Sequence, residues 1–77
     1  MAINVRYLAS LRDTLGRDSD TVNCAGTSTV SDVWRAANPD HEMPAKLLVA
    51  INQEYASLSA EVKDGDEVAF FPPVTGG

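Results

Sequence analysis

The sequence DGDEVAFFPPVTGG, residues 64–77, changes within a few positions from a strand to a stiff spacer to two glycines. Its segment 68–71 is aromatic and β-branched, which predicts a strand with alternate side chains on opposite faces. Pro72 and Pro73 end that strand because each lacks an N–H and fixes φ. We therefore expect the chain to leave the folded body in a defined, extended direction at this point.

The residues after Pro73 have the properties of a presented terminus. From Pro73 to Gly77 there are four Cα steps, which span roughly 13 to 14 Å at full extension. Gly76 and Gly77 lack a Cβ, so the backbone can pass through a narrow channel. We expect the α-carboxylate of Gly77 to be the reactive group of the chain. The alternative is a frayed end without function.

The first third of the sequence predicts a strand, a short helix and a weaker second strand. Segment 3–7 alternates apolar and polar side chains, the pattern of a half-buried strand. Apolar residues in segment 8–15 then recur at helical spacing, and Gly16 is placed to end that helix. Segment 21–24 has the composition of a strand that would pair with the first as a hairpin arm.

The main helix is predicted after Thr29. Thr29 and Asp32 form a capping-box pattern, with Asp at the position where Glu or Gln is usual. Apolar residues follow at helical spacing until Asn38, which precedes a proline. Trp34 is the largest side chain of this stripe, and we expect it to anchor the helix on the sheet.

The remaining elements are strands joined by turns. Segment 47–51 is apolar on both faces, which predicts a central strand. Segment 52–54 is expected to be a turn, and Tyr55 to start a short return segment. Segment 64–66 predicts a tight turn into the last strand. We divide the chain into a body, residues 1–71, and an extended Gly-Gly tail, residues 72–77.

Composition excludes several classes of function. A net charge of −5 argues against binding to a phosphate backbone, which requires clustered Lys and Arg. The acidic residues between Glu61 and Glu67 could steer the chain toward a basic partner or form a solvated turn. Cys24 and His41 each stand alone, so we expect no disulfide framework, metal site or nucleophilic triad. No signal peptide or membrane span is expected, which predicts a cytoplasmic protein.

Four segments carry a resemblance to a known family: 64–77, 5–9, 29–34 and 49–55. They resemble the small subunit of molybdopterin synthase, a ubiquitin-like sulfur carrier related to the thiamine-pathway carrier. The resemblance implies an α+β fold, the ubiquitin-like β-grasp, with a mixed sheet of about four to five strands packed on one main helix. It also implies that the last strand lies inside the sheet beside the first.

The family chemistry implies a carrier that is not an enzyme on its own. A ubiquitin-activator-like adenylyltransferase would use ATP to convert Gly77 to an acyl-adenylate, and a sulfur donor protein would then leave a thiocarboxylate there. The large catalytic subunit of the synthase, in an expected two-plus-two heterotetramer, would use this sulfur on cyclic pyranopterin monophosphate to build the molybdopterin dithiolene. No cofactor is expected to be bound to the chain itself.

The resemblance assigns roles along the tail. Gly77 would bear the adenylate and then the sulfur, and Gly76 would give clearance in the channel. Alternation places one of Phe70 and Phe71 in the core and the other against the partner, and we favour Phe71 as the partner contact. The tail and channel residues are Pro72, Pro73, Val74, Thr75 and Gly76.

Three other functions stay open. The same Gly-Gly end could be joined to lysine amines, as in a ubiquitin-like protein modifier. The chain could be a thiamine-pathway sulfur carrier, or a β-grasp interaction module with an inert tail. Deletion of Gly77 separates the last of these from the others, because an inert tail tolerates it.

Overall fold

The computed structural model describes residues 1–73, which form a mixed sheet covered on one face by a helix. This is the predicted α+β, β-grasp arrangement. In chain order the elements are β1 (Ala2–Tyr7), α1 (Ser10–Leu15), β2 (Ser19–Asn23), β3 (Ser28–Thr29), α2 (Val30–Ala37), β4 (Leu48–Ile51), β5 (Glu54–Ala56), β6 (Glu61–Val62) and β7 (Glu67–Phe71).

The five-stranded sheet has the order β2-β1-β7-β4-β5. β7 is parallel to β1 and antiparallel to β4, so the last strand lies beside the first, as the resemblance implied. Within the predicted segment 47–51, Leu48–Ile51 forms the interior strand β4, but the middle strand of the sheet is β7. The strand that leads into the tail is therefore hydrogen-bonded on both sides.

The core lies between the sheet and α2. Trp34 is 1% exposed, and its ring centroid lies 5.1 Å from that of Phe70 and 6.3 Å from that of Tyr7. The indole Nε1 donates to the backbone oxygen of His41 at 3.0 Å, which satisfies the one polar atom of the side chain. The prediction that Trp34 anchors the helix is confirmed. The other buried apolar residues are Ile3, Val5, Leu11, Val30, Val33, Leu47, Val49, Val62 and Val68.

The start of α2 has the predicted capping box. The backbone N–H of Asp32 donates to Oγ1 of Thr29, and the backbone N–H of Thr29 donates to Oδ2 of Asp32 at 2.9 Å. These bonds satisfy N–H groups that would otherwise have no partner at a helix start. The hydrogen bond from the Thr29 backbone is the main reason why the pKa of Asp32 is lowered.

The first helix is shorter than the pattern from residue 8 predicts. It begins at Ser10 and ends where Gly16 adopts the left-handed conformation, with φ of 74°. Leu8 is excluded because its N–H continues the sheet ladder, donating to the backbone oxygen of Phe70 at 3.0 Å. Ala9 then turns the chain, with φ of 55° and ψ of −139°.

Two short features lie outside the main strands and helices: a second small ladder and the turn between β4 and β5. β3 and β6 form a separate two-stranded ladder that the sequence analysis did not predict. Each is two residues long, too short to show alternation. The turn predicted at residues 52–54 consists of Asn52 and Gln53 alone, both with positive φ, and the return strand begins at Glu54, one residue earlier than predicted. Among residues 1–73, no helix has the length and apolar character needed to cross a membrane.

Candidate functional site at the root of the tail

The point where the chain leaves the sheet is held by strands on both sides. Phe71 is the last residue of β7 and pairs with Leu48 of β4. On the other side, the N–H of Leu8 donates to the carbonyl oxygen of Phe70. Pro72 is half-buried and Pro73 is exposed. The two prolines therefore directly follow a strand whose position is fixed by hydrogen bonds.

Phe70 and Phe71 point to opposite faces of β7. Phe70 is fully buried, with its ring stacked on Tyr7 and set edge-on to Trp34. Including Phe70 among the partner contacts was wrong for the folded chain, because no part of its side chain reaches the surface. Phe71 is half-buried on the face away from α2, and its role as the partner contact stays a prediction.

Phe71 belongs to an apolar surface on the open face of the sheet. Ala50 of β4 pairs with Ala69 of β7 and with Tyr55 of β5, so their side chains lie together on that face. The Tyr55 ring centroid lies 6.0 Å from that of Phe71, although 80% of Tyr55 is exposed. We call this surface the open-face patch; it consists of Leu48, Ala50, Tyr55, Ala69 and Phe71.

Only part of the open-face patch had a signal in the sequence. Tyr55 was predicted to start a return segment but not to contact Phe71. The contact depends on which strands are neighbours, and β5 and β7 are both partners of β4. Segment 47–51 is apolar on both faces in the sequence, so the pattern did not show that Leu48 and Ala50 lie on the face away from the helix.

The predicted tail positions beyond Pro73 lie outside the described residues. They are Val74, Thr75, Gly76 and Gly77. Their assigned roles, the boundary between residues 71 and 72 and the reach of the terminal carboxylate all stay predictions.

The acidic residues before the last strand lie at the other end of β7 from the tail. Asp64 Oδ1 accepts the N–H of Ala2 at 2.7 Å, and Asp66 Oδ2 accepts the N–H of Lys63 at 2.8 Å. Four residue steps along β7 place the beginning of the strand roughly 13 Å from the tail root. The structure favours the turn interpretation for Asp64 and Asp66, since both carboxylates hold backbone N–H groups.

A polar cluster closes the core beneath the end of α2. The Tyr7 hydroxyl donates to Asp20 Oδ2 at 2.8 Å and accepts from Asn38 Nδ2 at 3.0 Å. Arg17 Nε donates to the same Asp20 oxygen at 2.7 Å. Burial, followed by the hydrogen bond to Asp20, raises the pKa of Tyr7. Because these groups satisfy one another, we interpret the cluster as structural.

Cys24 and His41 occupy positions that do not assemble a catalytic site. Cys24 is half-buried and packs against the core, as expected for a small apolar residue. His41 is exposed in the loop after α2. Within residues 1–73, no group of three or more His, Cys, Asp or Glu side chains is arranged to hold a metal ion.

Comparison with known proteins identifies the family. The model of the ThiS family matches residues 5–77. A protein from Escherichia coli strain K12 named molybdopterin synthase sulfur carrier subunit is 42% identical, over 97% of this chain and 99% of that protein. This agreement over nearly the whole of both chains confirms the resemblance that the tail and three internal segments indicated.

Solved structures agree on the fold. Haloferax volcanii small archaeal modifier protein 1 matches with a TM-score of 0.81 and 28% identity, over 95% of this chain and 98% of that one. A chain from the complex of subunits 1 and 2 of the Helicobacter pylori molybdopterin-converting factor matches with a TM-score of 0.69, over 100% of both chains. Its identity is 23%, so it supports the fold alone. On the family match and the close relative together, this chain belongs to the ThiS family.

Proposed function

We propose that the chain is the sulfur carrier and small subunit of a molybdopterin synthase, with Gly77 as the group that is charged and discharged. The observation that carries this proposal is the 42% identity to a sulfur carrier subunit over nearly the full length of both proteins. The fixed strand beneath the prolines supports it, because a carrier must present its terminus reproducibly to other proteins.

The chemistry begins with activation of the terminal carboxylate. A carboxylate is a poor electrophile, so an adenylyltransferase uses ATP to form a glycyl adenylate at Gly77 and releases pyrophosphate. Hydrosulfide supplied by a donor protein then displaces AMP. The product is a thiocarboxylate, in which one oxygen of Gly77 is replaced by sulfur.

Delivery of the sulfur takes place in another subunit. The thiocarboxylate sulfur attacks cyclic pyranopterin monophosphate in the large subunit, and water then hydrolyses the thioester that links the pterin to Gly77. This leaves the sulfur on the pterin and restores the carboxylate of Gly77, and a second delivery completes the dithiolene of molybdopterin. A two-plus-two heterotetramer would contain two carriers and two large subunits. In this proposal the catalytic groups belong to these partners, and the chain itself supplies only the sulfur.

The tail and the open-face patch would contact different parts of the partner. Gly76 and Gly77 would pass through the narrowest part of the channel, since neither has a Cβ. Val74 and Thr75 would span the distance from the prolines. The open-face patch would dock on the partner surface with Phe71 as its anchor, because half-buried aromatic rings supply a large apolar area at low entropic cost.

Intact mass tests the proposal most directly. The chain is incubated with its adenylyltransferase, ATP and a sulfur donor, and we expect the mass gain of one oxygen replaced by one sulfur, located at Gly77 by fragmentation. The Cys24→Ser variant should show the same gain, because a persulfide on a thiol is a different adduct. A gain that Cys24→Ser abolishes, or no gain in the presence of a competent activating system, would contradict the proposal.

A protein modifier is the second candidate, favoured by the likeness to small archaeal modifier protein 1 at a TM-score of 0.81. Both functions need an activated Gly77, but they differ in the acceptor. A modifier would form isopeptide bonds to lysine amines of other proteins. Covalent adducts in cell extracts that disappear when Gly77 is deleted would support it, whereas a carrier alone yields the thiocarboxylate without such adducts.

A further inference from the structure

A second surface borders the tail root, on the side of the sheet that faces α1. It is a groove of about 220 Å³ between α1 and the segment that precedes β4, and the two prolines form one end of it. We call it the exit groove. The proposed sulfur-transfer chemistry assigns it no role. Its lining includes Leu11, Thr14, Ala45, Leu47, Pro72 and Pro73.

The exit groove has the chemistry of a pocket for an apolar side chain. Leu11 and Leu47, at 5% and 9% exposed, form its apolar base, and none of the described residues that line it is charged. A cavity of about 150 Å³ with apolar walls is large enough for a benzene molecule. The groove can therefore hold one large aliphatic or aromatic side chain, and a charged group there would lose its hydration without a partner.

The wall formed by α1 is tied to the tail root. Ala9 has φ of 55° and ψ of −139°, a conformation that residues other than glycine seldom adopt. This turn begins directly after Leu8, whose N–H donates to the carbonyl oxygen of Phe70. The same strand end thus holds both the wall of the groove and the start of the tail.

We infer that the exit groove receives one apolar side chain from the large subunit that accepts the tail, an inference that depends on the proposed function. Pro73 is both a lining residue of the groove and the last residue before the tail. A protein that closes around the tail must therefore pass the mouth of the groove. The open-face patch lies on the other face of β7, so a partner that contacts both surfaces grips the tail root from two sides.

Filling the groove tests the inference on the full-length chain. Ala45→Phe places a ring at one wall, and Thr14→Leu reduces the space from the other. Both positions are exposed in the free chain, so the fold should tolerate the changes. Measured by titration calorimetry, the Kd for the large subunit should rise about tenfold for Ala45→Phe, since a filled pocket excludes its anchor.

Two controls separate the groove from general effects of bulk. Ala45→Ser leaves the groove open, and Ala25→Phe adds the same ring at an exposed loop position that does not line it. Both should bind within about twofold of the unaltered chain. Thiocarboxylate formation at Gly77, measured at the end point with excess activating enzyme, should be complete in all four variants, because a weaker contact at the groove would slow the activating step without preventing it.

Each other outcome overturns the inference. If Ala45→Phe and Thr14→Leu both bind the large subunit with unchanged affinity, no partner side chain enters the exit groove. An equal loss of binding and of thiocarboxylate formation would mean that the tail had been redirected, and tighter binding would mean that the groove had held the chain's own tail. If the unaltered chain forms no thiocarboxylate and does not bind the large subunit, the proposed function fails first and the inference with it.

Discussion

Phe70 and Phe71 are neighbours in sequence, identical in chemistry and opposite in environment. Phe70 is 0% exposed and contacts Trp34 and Tyr7 in the core. Phe71 lies on the open face against Tyr55, itself 80% exposed. Because side chains alternate along a strand, β7 places one ring in the core and the other on the open face. The strand that contributes to the core is thus also the one that carries the proposed partner surface.

The largest effect should come from removing the buried ring. Phe70→Ala removes contacts with two other aromatic rings and leaves a cavity that the sheet cannot close. We expect a loss of about 3–5 kcal/mol in the free energy of unfolding, measured by urea denaturation. That is a large share of the roughly 5–15 kcal/mol typical of native domains, so partial unfolding at room temperature is expected.

Phe70→Leu is the matched control for that change. It retains most of the apolar volume and should be less damaging than Phe70→Ala. If Phe70→Ala unfolds at the same urea concentration as the unaltered chain, the division between the two faces of β7 fails.

Removing the ring on the open face should weaken binding to the large subunit and have little effect on stability. Phe71→Ala is expected to weaken the complex with the large subunit by about tenfold or more. The free energy of unfolding should fall by about 1 kcal/mol or less, since the ring is only half-buried. Calorimetric titration and urea denaturation of the same preparation measure both quantities.

Tyr55→Ala is a second test of the open-face patch, because Tyr55 lies in β5 and its ring contacts that of Phe71. It should weaken binding in the same direction and leave the core intact. Unchanged affinity in both variants would show that the partner does not use the open-face patch.

A smaller loss of stability is expected from a change at the N-terminus of α2, because the cap contributes hydrogen bonds and does not bury a large side chain. Thr29→Ala removes the side chain that accepts the N–H of Asp32 and should cost about 1 kcal/mol of stability. Thr29→Ser retains the hydroxyl and should recover most of it. Binding to the large subunit should be the same for all three chains at a temperature where each is folded.

The smallest effect is a pH dependence from Asp32. Its pKa is lowered in the folded chain, first by the backbone N–H of Thr29, then by the Thr29 hydroxyl and by Arg35, whose Nη2 lies 2.9 Å from Oδ1. A carboxylate with a lowered folded pKa stabilises the fold above its unfolded pKa of about 3.9, and this contribution is lost as pH falls through the folded pKa.

Asp32→Asn serves as the control, since it retains an oxygen acceptor without a charge. Unfolding free energies should differ between the two chains at neutral pH and converge below about pH 4. Parallel pH profiles would show that Asp32 does not contribute in its charged form.

Local patterns predicted much of the fold. The capping pair Thr29 and Asp32, the stop at Gly16 and the alternation in β1 each depend on neighbours a few residues apart, so they are visible in the sequence. The two-residue strands β3 and β6 were missed, because each exists only through pairing with a distant segment.

The candidate site shows the same division. The prolines and glycines indicated a presented terminus from their covalent properties alone. Which phenylalanine is buried could not be read from the alternation, since that pattern states only that Phe70 and Phe71 differ. The answer required the position of α2 on the sheet.

The sequence by itself determined that this chain ends a strand at Pro72, carries a Gly-Gly sequence beyond it and belongs with the sulfur carriers it resembles. Local sterics are sufficient for the first two conclusions, and the third came from the resemblance of its motifs to a known family. Tertiary structure alone decided that β7 rather than β4 is the middle strand of the sheet, that Tyr55 contacts Phe71 and that α1 and the segment before β4 enclose the exit groove. The physical reason is that each of these features joins segments far apart in the chain, and only the packing of the core brings them together.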